Sequence, residues 1–509
     1  MAKIHTQGVF FCTPQLLQRG LTLCGTDEGN RYATVTPISM LPDNILLEIF
    51  DFCRENHYNH PTYSRPLREW NIIVHVCSRW RQIVFASPQR LNLQILCTYG
   101  TPVKKILEIW PTLPISLDLY SLRSHTSNDE ENAIIALKHP DRVSSVMLYV
   151  TGSQFGNIVT VMQEPFPMLA RLYICLRNGN AAVLPASFLG GSAPRLQELY
   201  LSRIPYPTLP TLLLSASDLV DLRLQNIPPT GYISPKAMVM GLAALPHLQN
   251  LFIEFESQSA TTPHPDQTYP PSRTRTVLPV LTSFNLQAAY EYQEDLISQI
   301  EGPQLNLIFT VYLDRPVDFQ LVQLSKFIHR SLSLELNPLR RALVSFSDDR
   351  VAFTLYRQTN YQGRNQCPVV TNIKRKAFDW PLSETAQVLG QFLSSVIHLK
   401  LEVSSEEYYQ LLGAEDVEWP HLFHQFPAMQ TLHVSPELAR LVAIALEKLT
   451  AEIVAEASPS LDLICLEGQP ASSVQNFITA RQLSGRPVAV VDTEAEFLNR
   501  LDSYVTANE

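Results

Sequence analysis

One pattern constrains this chain more than any other. From residue 143 onward the spacing L-x-x-L-x-L, with apolar substitutions, keeps returning. It reads Val143-Val146-Leu148, Leu169-Leu172-Ile174, Leu196-Leu199-Leu201, Leu219-Leu222-Leu224, Leu248-Leu251-Ile253 and Leu281-Phe284-Leu286. These copies start 26, 27, 23, 29 and 33 residues apart. Further copies are Val396-Leu399-Leu401, Met429-Leu432-Val434 and Leu461-Ile464-Leu466. Each ends in strict apolar–polar alternation, the signature of a half-buried strand. Five follow a proline, as in "PFPMLARL", "APRLQEL", "LPHLQNL", "LPVLTSF" and "FPAMQTL". The proline ends the preceding segment before the strand begins. The spacing leaves room for a return helix or loop, so stacked units predict a curved parallel sheet with helices outside. An ordinary α/β domain with leucine-rich strands is the other arrangement the pattern allows.

The pattern resembles a leucine-rich repeat solenoid, in a degenerate form. The period is irregular, and Ile204 and Ile227 stand where the family carries asparagine. Residues 305–375 are the least regular part. There "LNLIFTVYL", "SLSLEL", "RALVSF" and "VAFTLY" read as strands out of frame with the repeats. Residues 257–276 have no apolar pattern and read as a disordered surface insertion. Alternation also places Tyr173, Tyr200, Arg223, Phe252 and Asn285 at one equivalent, outward position per strand. Stacked strands would align them as a column on the open face. Tyr, Arg and Phe are types enriched at recognition hot spots, so a protein target is expected there. The alternative is that an insert or the C-terminal segment covers them.

The start of the chain reads differently. In "ISMLPDNILLEIFDFC", residues 38–53, Pro42 suits a first helical turn and Asp43 its positive dipole end. Ile45, Leu46, Ile49, Phe50 and Cys53 then form one stripe of a helix over 41–53. In "VHVCSRWRQIVFASPQRL", residues 74–91, Val76, Cys77, Trp80, Ile83 and Val84 repeat the arithmetic, and Ser87-Pro88 stops the helix. Leu67, Trp70 and Val74 suggest a third short helix between them. About 50 residues make only a marginal core, and Leu47, Phe52 and Phe85 look left over for another surface. Burying each such side chain contributes about 1.5–3 kcal/mol, so an interaction module is expected.

Leu41-Pro42, Ile45-Leu46, Ile49-Phe50, Val76-Cys77, Trp80-Arg81, Ile83 and Ser87-Pro88 together resemble an F-box. The resemblance implies docking onto a Skp1-like adaptor, and through it a cullin. The implied contact positions are Leu41, Pro42, Ile45, Leu46, Ile49, Val76, Cys77, Trp80 and Ile83. Any of them, Trp80 above all, has the alternative of serving the module's own core. The segment "RENHYNHPTYSRPLREW" is longer and more polar than the family's usual connection. In style the chain is similar to the large F-box families of mushroom-forming fungi. The expected architecture is α/β: a disordered segment 1–36, a three-helix F-box 37–91, a connecting region 92–135 and the repeat domain 136–509. The resemblance implies a substrate-recognition subunit of a Skp1–cullin–F-box ubiquitin ligase. The alternative is a leucine-rich repeat scaffold that binds a partner without ubiquitination.

Composition narrows the field further. Charged residues are 17% and the net charge is −9, which argues against a binder of nucleic acid or of an anionic membrane. The one dense basic run, Lys374-Arg375-Lys376, reads as a solvated loop or a short localisation signal. The eight cysteines are scattered without a C-x-x-C pair, which suggests a reducing compartment, cytoplasm or nucleus. No signal-peptide core and no run of 18 apolar residues appears. Cys53, His57 and His60 have metal-like spacing without a matching fourth ligand, so a loop is expected and no metal. No G-x-S-x-G, H-E-x-x-H or phosphate-loop pattern occurs. We therefore expect no catalytic site and no cofactor.

Overall fold

The computed structural model describes residues 40–55, 73–74, 76–87, 94–110, 112–120, 127–177, 183–256, 275–302, 306–313, 322–332, 339–347, 350–356, 369–375, 390, 392–403, 419–448 and 460–508. The chain forms two units, Met1–Leu96 with Lys104–Ser116, and Cys97–Val103 with Leu117–Glu509. The segments 1–36 and 257–274 lie outside the described residues. Thr276, placed in the insertion by sequence, opens a two-residue strand.

The smaller unit is built on helices α1 (Asp43–Glu55) and α2 (Ser78–Ala86). Pro42 sits just before α1, and its carbonyl accepts the N–H groups of Ile45 and Leu46, each at 3.1 Å. It therefore caps the helix, where the sequence had placed it inside the first turn. Asp43 does open α1, at the positive dipole end. Leu46, Leu47 and Phe50 of α1 pack with Val74, Ile83 and Val84 in one core, flanked by Leu41, Ile73, Trp80 and Phe85. Leu47, expected to be left over for a partner, is thus internal. Residues 56–72, with most of the expected middle helix, lie outside the described residues; Val74 is helical and buried. The helix Val103–Ile109 (α3) and two short strands, β1 (Ile95–Cys97) and β2 (Ile115–Leu119), follow, and the residues of these three elements are divided between the two units. The span 92–135, read as a connection, thus carries regular structure, including helix α4 (Ser127–Leu137).

The larger unit is mixed α/β, an open and mostly parallel sheet with helices. Its strands are β3 (Val143–Val150), β4 (Arg171–Leu176), β5 (Glu198–Ser202), β6 (Asp221–Ile227), β7 (Asn250–Phe255), the short β8 (Thr276–Val277), β9 (Ser283–Ala289) and the short β10 (Ile300–Glu301). After them come β11 (Asn306–Leu313), β12 (Arg341–Ser347), β13 (Arg350–Tyr356), β14 (Val369–Arg375), β15 (His398–Val403), β16 (Thr431–Val434), β17 (Leu463–Leu466) and β18 (Ala489–Val491). From β3 the strand order is chain order through β7, β9 and β11, with every pair parallel. Strands β8 and β10 pair separately.

The apolar repeat explains this stacking. Val146, Leu172, Leu199, Leu222, Leu251 and Phe284 are register partners from strand to strand, and Leu148, Ile174, Leu201, Leu224, Ile253 and Leu286 form the next row. Leu399-Leu432-Ile464 and Leu401-Val434-Leu466 do the same near the C-terminus. All of these are buried. In the five copies that follow a proline the leading residue closes a turn: Leu169, Leu196, Leu248, Leu281 and Met429 donate their N–H to the carbonyls of Phe166, Ala193, Leu245, Leu278 and Phe426. The prolines 167, 194, 246, 279 and 427 occupy the second position of these turns, where a fixed φ helps. The carbonyl-bearing residues of the turns are buried too, so the repeat begins three residues earlier than the spacing alone revealed.

Helices fill the returns. Helix α5 (Gly152–Val159) starts with a capping box of Thr151 and Gln154 and buries Phe155 and Ile158. The short α6 (Leu209–Leu213) and α7 (Pro235–Leu242, capped by Ser234) follow. Then come α8 (Tyr290–Gln299) and α9 (Val322–Leu332), the latter capped by the Glu294 carboxylate on the N–H groups of Gln323 and Leu324. Helix α9 takes in the first two residues of "SLSLEL", and the rest of that expected strand lies outside the described residues.

Between β11 and β15 the stacking changes. The order is β11-β14-β13-β12-β15, with β14 parallel to β11, β13 antiparallel to both neighbours, and β12 parallel to β15. Lys374 and Arg375, read as a loop, end strand β14. Helices α10 (Trp419–His424), α11 (Pro436–Lys448) and α12 (Gln475–Leu483) follow. Helix α13 (Glu494–Asn508) brings Phe497 onto Leu463, Cys465 and Val491. These lie on the face opposite the Ile464 row, so β16 and β17 are buried on both sides.

Candidate functional site

Two surfaces hold the residues singled out by sequence. On the smaller unit, α1 is apolar on more than one side. Leu46 is 0% and Ile83 6% exposed, so both of these expected contacts belong to the unit's own core. Trp80 is half-buried, its ring 4.8 Å from that of Phe50 at 59°. Leu41 also flanks the core. The expected contacts that face solvent are Pro42, Ile45 (41%), Ile49 (39%), Val76 (55%) and Cys77. Ile45 and Ile49 are one turn apart and share a side of α1. Met40, 75% exposed, adds an apolar side chain that helix periodicity missed because it precedes the helix.

Local hydrogen bonds fix how α1 and α2 meet. The Arg79 guanidinium donates to Asp43 Oδ1 through Nη2 at 2.6 Å and Nε at 3.1 Å, and to the Leu41 carbonyl at 2.6 Å. Arg81 Nε donates to the Val74 carbonyl at 3.0 Å. Cys77 caps α2, its Sγ accepting the Trp80 N–H at 3.4 Å. These bonds hold the segment carrying Val76 and the start of α1 in place.

The second surface is the open face of the sheet. Tyr173, Tyr200, Arg223, Phe252 and Asn285 are successive register partners, so they form the expected column. The Tyr173 and Tyr200 rings stack at 5.8 Å and 26°. Their hydroxyls are committed along the sheet, Tyr173 to Glu198 and Tyr200 to Gln225 Oε1 at 2.5 Å. Burial, then the hydrogen bond to Glu198, push the Tyr173 phenol pKa up, so it stays protonated. Arg223 is exposed and grips Asp221 with Nε at 2.8 Å and Nη2 at 2.7 Å. Asn250 also donates to Asp221, at 3.3 Å. The polar groups beside the two tyrosine rings are thus paired within the sheet, whereas Asn285 Oδ1, at the far end of the column, is buried without a hydrogen-bond partner. The same alternation places Tyr149 two positions beyond Met147, the register partner of Tyr173. Its ring lies under the Arg177 guanidinium at 4.8 Å and 5.7 Å from Tyr120.

Helix α13 covers the last strands of the sheet and not this column. On those strands His433 is buried with its ring 5.0 Å from Phe497, and its Nε2 is 2.5 Å from Glu467 Oε1. His398 Nδ1 lies 2.8 Å from Thr431 Oγ1. Burial, reinforced by neighbouring cations, holds both imidazoles near pKa 4, so both are neutral at pH 7 and His433 donates Nε2–H to Glu467.

Among the described residues no cluster of His, Cys, Asp and Glu could hold a metal. His57, His60 and the side chain of Cys53 lie outside them. Among the described residues, too, no helix is long and apolar enough to cross a membrane. Neither a protein-family model nor a curated protein matches this chain.

Proposed function

We propose that the chain is a substrate-recognition subunit of a Skp1–cullin–F-box type ubiquitin ligase. The smaller unit is an F-box, and the larger one a degenerate leucine-rich repeat solenoid. The observation that carries this reading is the split of apolar residues in the smaller unit. Leu46, Phe50, Ile83 and Val84 suffice for its own core, while Ile45, Ile49 and Val76 of the same motif remain exposed. Exposed aliphatic side chains on so small a helical unit call for a partner. The partner is a Skp1-like adaptor, and the column from Tyr173 to Asn285 takes a protein target. The chain acts by proximity, holding the target near a charged conjugating enzyme, and does no bond chemistry itself.

The test is capture of purified Skp1 by the intact chain and by an Ile45→Asp/Val76→Asp variant. Capture by the first and loss in the second, with unchanged helix content, supports the reading. Absence of capture by the well-folded intact chain overturns it in favour of a scaffold that binds its partner outside a ligase.

A further inference from the structure

The column that begins at Tyr173 is one end of a longer register row. From Asn285 the row continues through β11, β14, β13 and β12 to Lys400 on β15. His433, Cys465 and Val491 are its next three members. Directly paired residues of a sheet share a face, so His433, Cys465 and Val491 lie on the same face as Tyr173, Tyr200 and Phe252.

At its C-terminal end this row carries a helix. Helix α13 sets the Phe497 ring 5.0 Å from the His433 ring and packs Phe497 with Cys465 and Val491. Beneath it His433, Cys465 and Val491 are 1%, 0% and 4% exposed. Leu501, one turn after Phe497 and so on the same side of α13, is buried too. Glu494, Glu496, Asn499 and Arg500 of the helix are exposed. The element seated on the row is therefore an amphipathic helix with its apolar residues at i and i+4. On β4, β5 and β7 the same row is open: Tyr173, Tyr200 and Phe252 are half-buried, and Arg223 between them is exposed. Both tyrosine hydroxyls are committed within the sheet, so the rings offer apolar contact.

We propose that the open end of the row, from Tyr173 to Phe252, takes an amphipathic helix of the target protein, seated as α13 is seated on His433, Cys465 and Val491. This rests on the reading of the larger unit as a binder of a protein target, and it names the form that target presents. Tyr173 to Phe252 spans four adjacent strands, about 14 Å at the usual spacing. About ten helical residues cover that distance. Apolar side chains one turn apart on the incoming helix meet the three rings, and its polar side faces solvent.

The experiment is fluorescence anisotropy on the full chain with three fluorescein-labelled peptides of about 15 residues, long enough to cover the row. The first is an Ala-, Glu- and Lys-based helix carrying Phe and Leu one turn apart. The second has the same composition in scrambled order. The third carries Pro at its centre, which forbids the helix. The first should bind saturably, and the other two about tenfold more weakly or not at all. A Tyr200→Ala/Phe252→Ala variant should weaken the first about tenfold. Leu483→Ser, at an 84% exposed leucine on α12, should leave it unchanged. If the double variant unfolds early in a thermal scan, Phe252→Ala alone is read, with a loss of about threefold or more expected. Four outcomes overturn the proposal. They are no binding of the helical peptide, binding indifferent to the Tyr200 and Phe252 variants, equal binding of the proline peptide, which gives the row to an extended segment, and self-association of the chain that the double variant abolishes, which gives it to a second copy. Skp1 capture is measured on the same preparation. A chain that captures Skp1 and ignores the helical peptide fails here alone, and the converse fails the ligase reading alone.

Discussion

The indole of Trp80 packs on the ring of Phe50, 4.8 Å between centroids, and so ties the second helix of the smaller unit to the first. Trp80→Ala removes that contact from a core of six buried side chains. It should destabilise the unit by about 3 kcal/mol. Ile45→Asp and Ile49→Asp alter exposed positions and should stay within about 0.5 kcal/mol. Denaturant unfolding followed by tryptophan fluorescence or circular dichroism separates the two classes. Equal destabilisation by both would contradict the division of α1 into inward and outward sides.

The rows of the sheet differ in the same way. Leu222 lies in the buried row between Leu199 and Leu251, and Leu222→Ala should cost about 2–5 kcal/mol. Tyr200→Ala, on the open face, loses ring stacking on Tyr173 and should cost about 0.5–1.5 kcal/mol beyond the buried area lost. In the proposed role it also removes target capture. Thermal unfolding of both variants, with the target assay run alongside, checks the contrast.

Gly190 offers a sharper steric test. Its φ is +66°, and an added Cβ would stand 2.6 Å from Pro165 Cγ and 2.7 Å from the Pro165 backbone nitrogen. Both the backbone angle and the space exclude a side chain. Gly190→Ala should therefore destabilise the larger unit by about 1–3 kcal/mol or more. Gly468 also has positive φ but meets nothing within 4 Å, so Gly468→Ala should carry only the smaller backbone penalty, about 1 kcal/mol.

His398 and His433 make stability depend on acid. Each has a folded-state pKa of about 4, below the ordinary 6.5. The neutral form is the native one, so unfolding takes up protons between these two values. Stability is complete above about pH 6.5, falls as pH drops through the window, and stops falling near pH 4. The loss should approach about 3 kcal/mol for each histidine. Glu467, whose pKa burial raises, offsets part of it at His433. Urea unfolding from pH 7 to pH 4.5 measures the slope, and His398→Gln should flatten it.

Much of the larger unit was legible because its signal repeats. Nine apolar triplets each contribute a buried residue at the same place, and the alternation within each strand fixes which side chains share a row. Tyr173, Tyr200, Arg223, Phe252 and Asn285 could be aligned for that reason before any strand was paired. Helix α1 was harder. Ile45, Leu46, Leu47, Ile49 and Phe50 are apolar over two sides, and periodicity does not say which side meets α2. The Phe50–Trp80 and Asp43–Arg79 contacts settle that choice, and both join residues far apart in sequence. The order β11-β14-β13-β12 was not readable at all. Alternation identified β12 and β13 as strands, but partner choice depends on contacts no local pattern records.

That rearranged order divides the way the chain can be assembled. From β3 through β7 to β9 each new strand of the main sheet finds its neighbour already in place, so the sheet can grow as the polypeptide leaves the ribosome, one repeat at a time. Strand β11 breaks the sequence. Its far edge must wait for β14, the last of the next three strands to be made, while β12 and β13 pair with each other first. During that interval β11 presents a row of unsatisfied backbone groups. The meander is therefore where synthesis is most exposed to mispairing, and where a chaperone would find its longest opportunity to act.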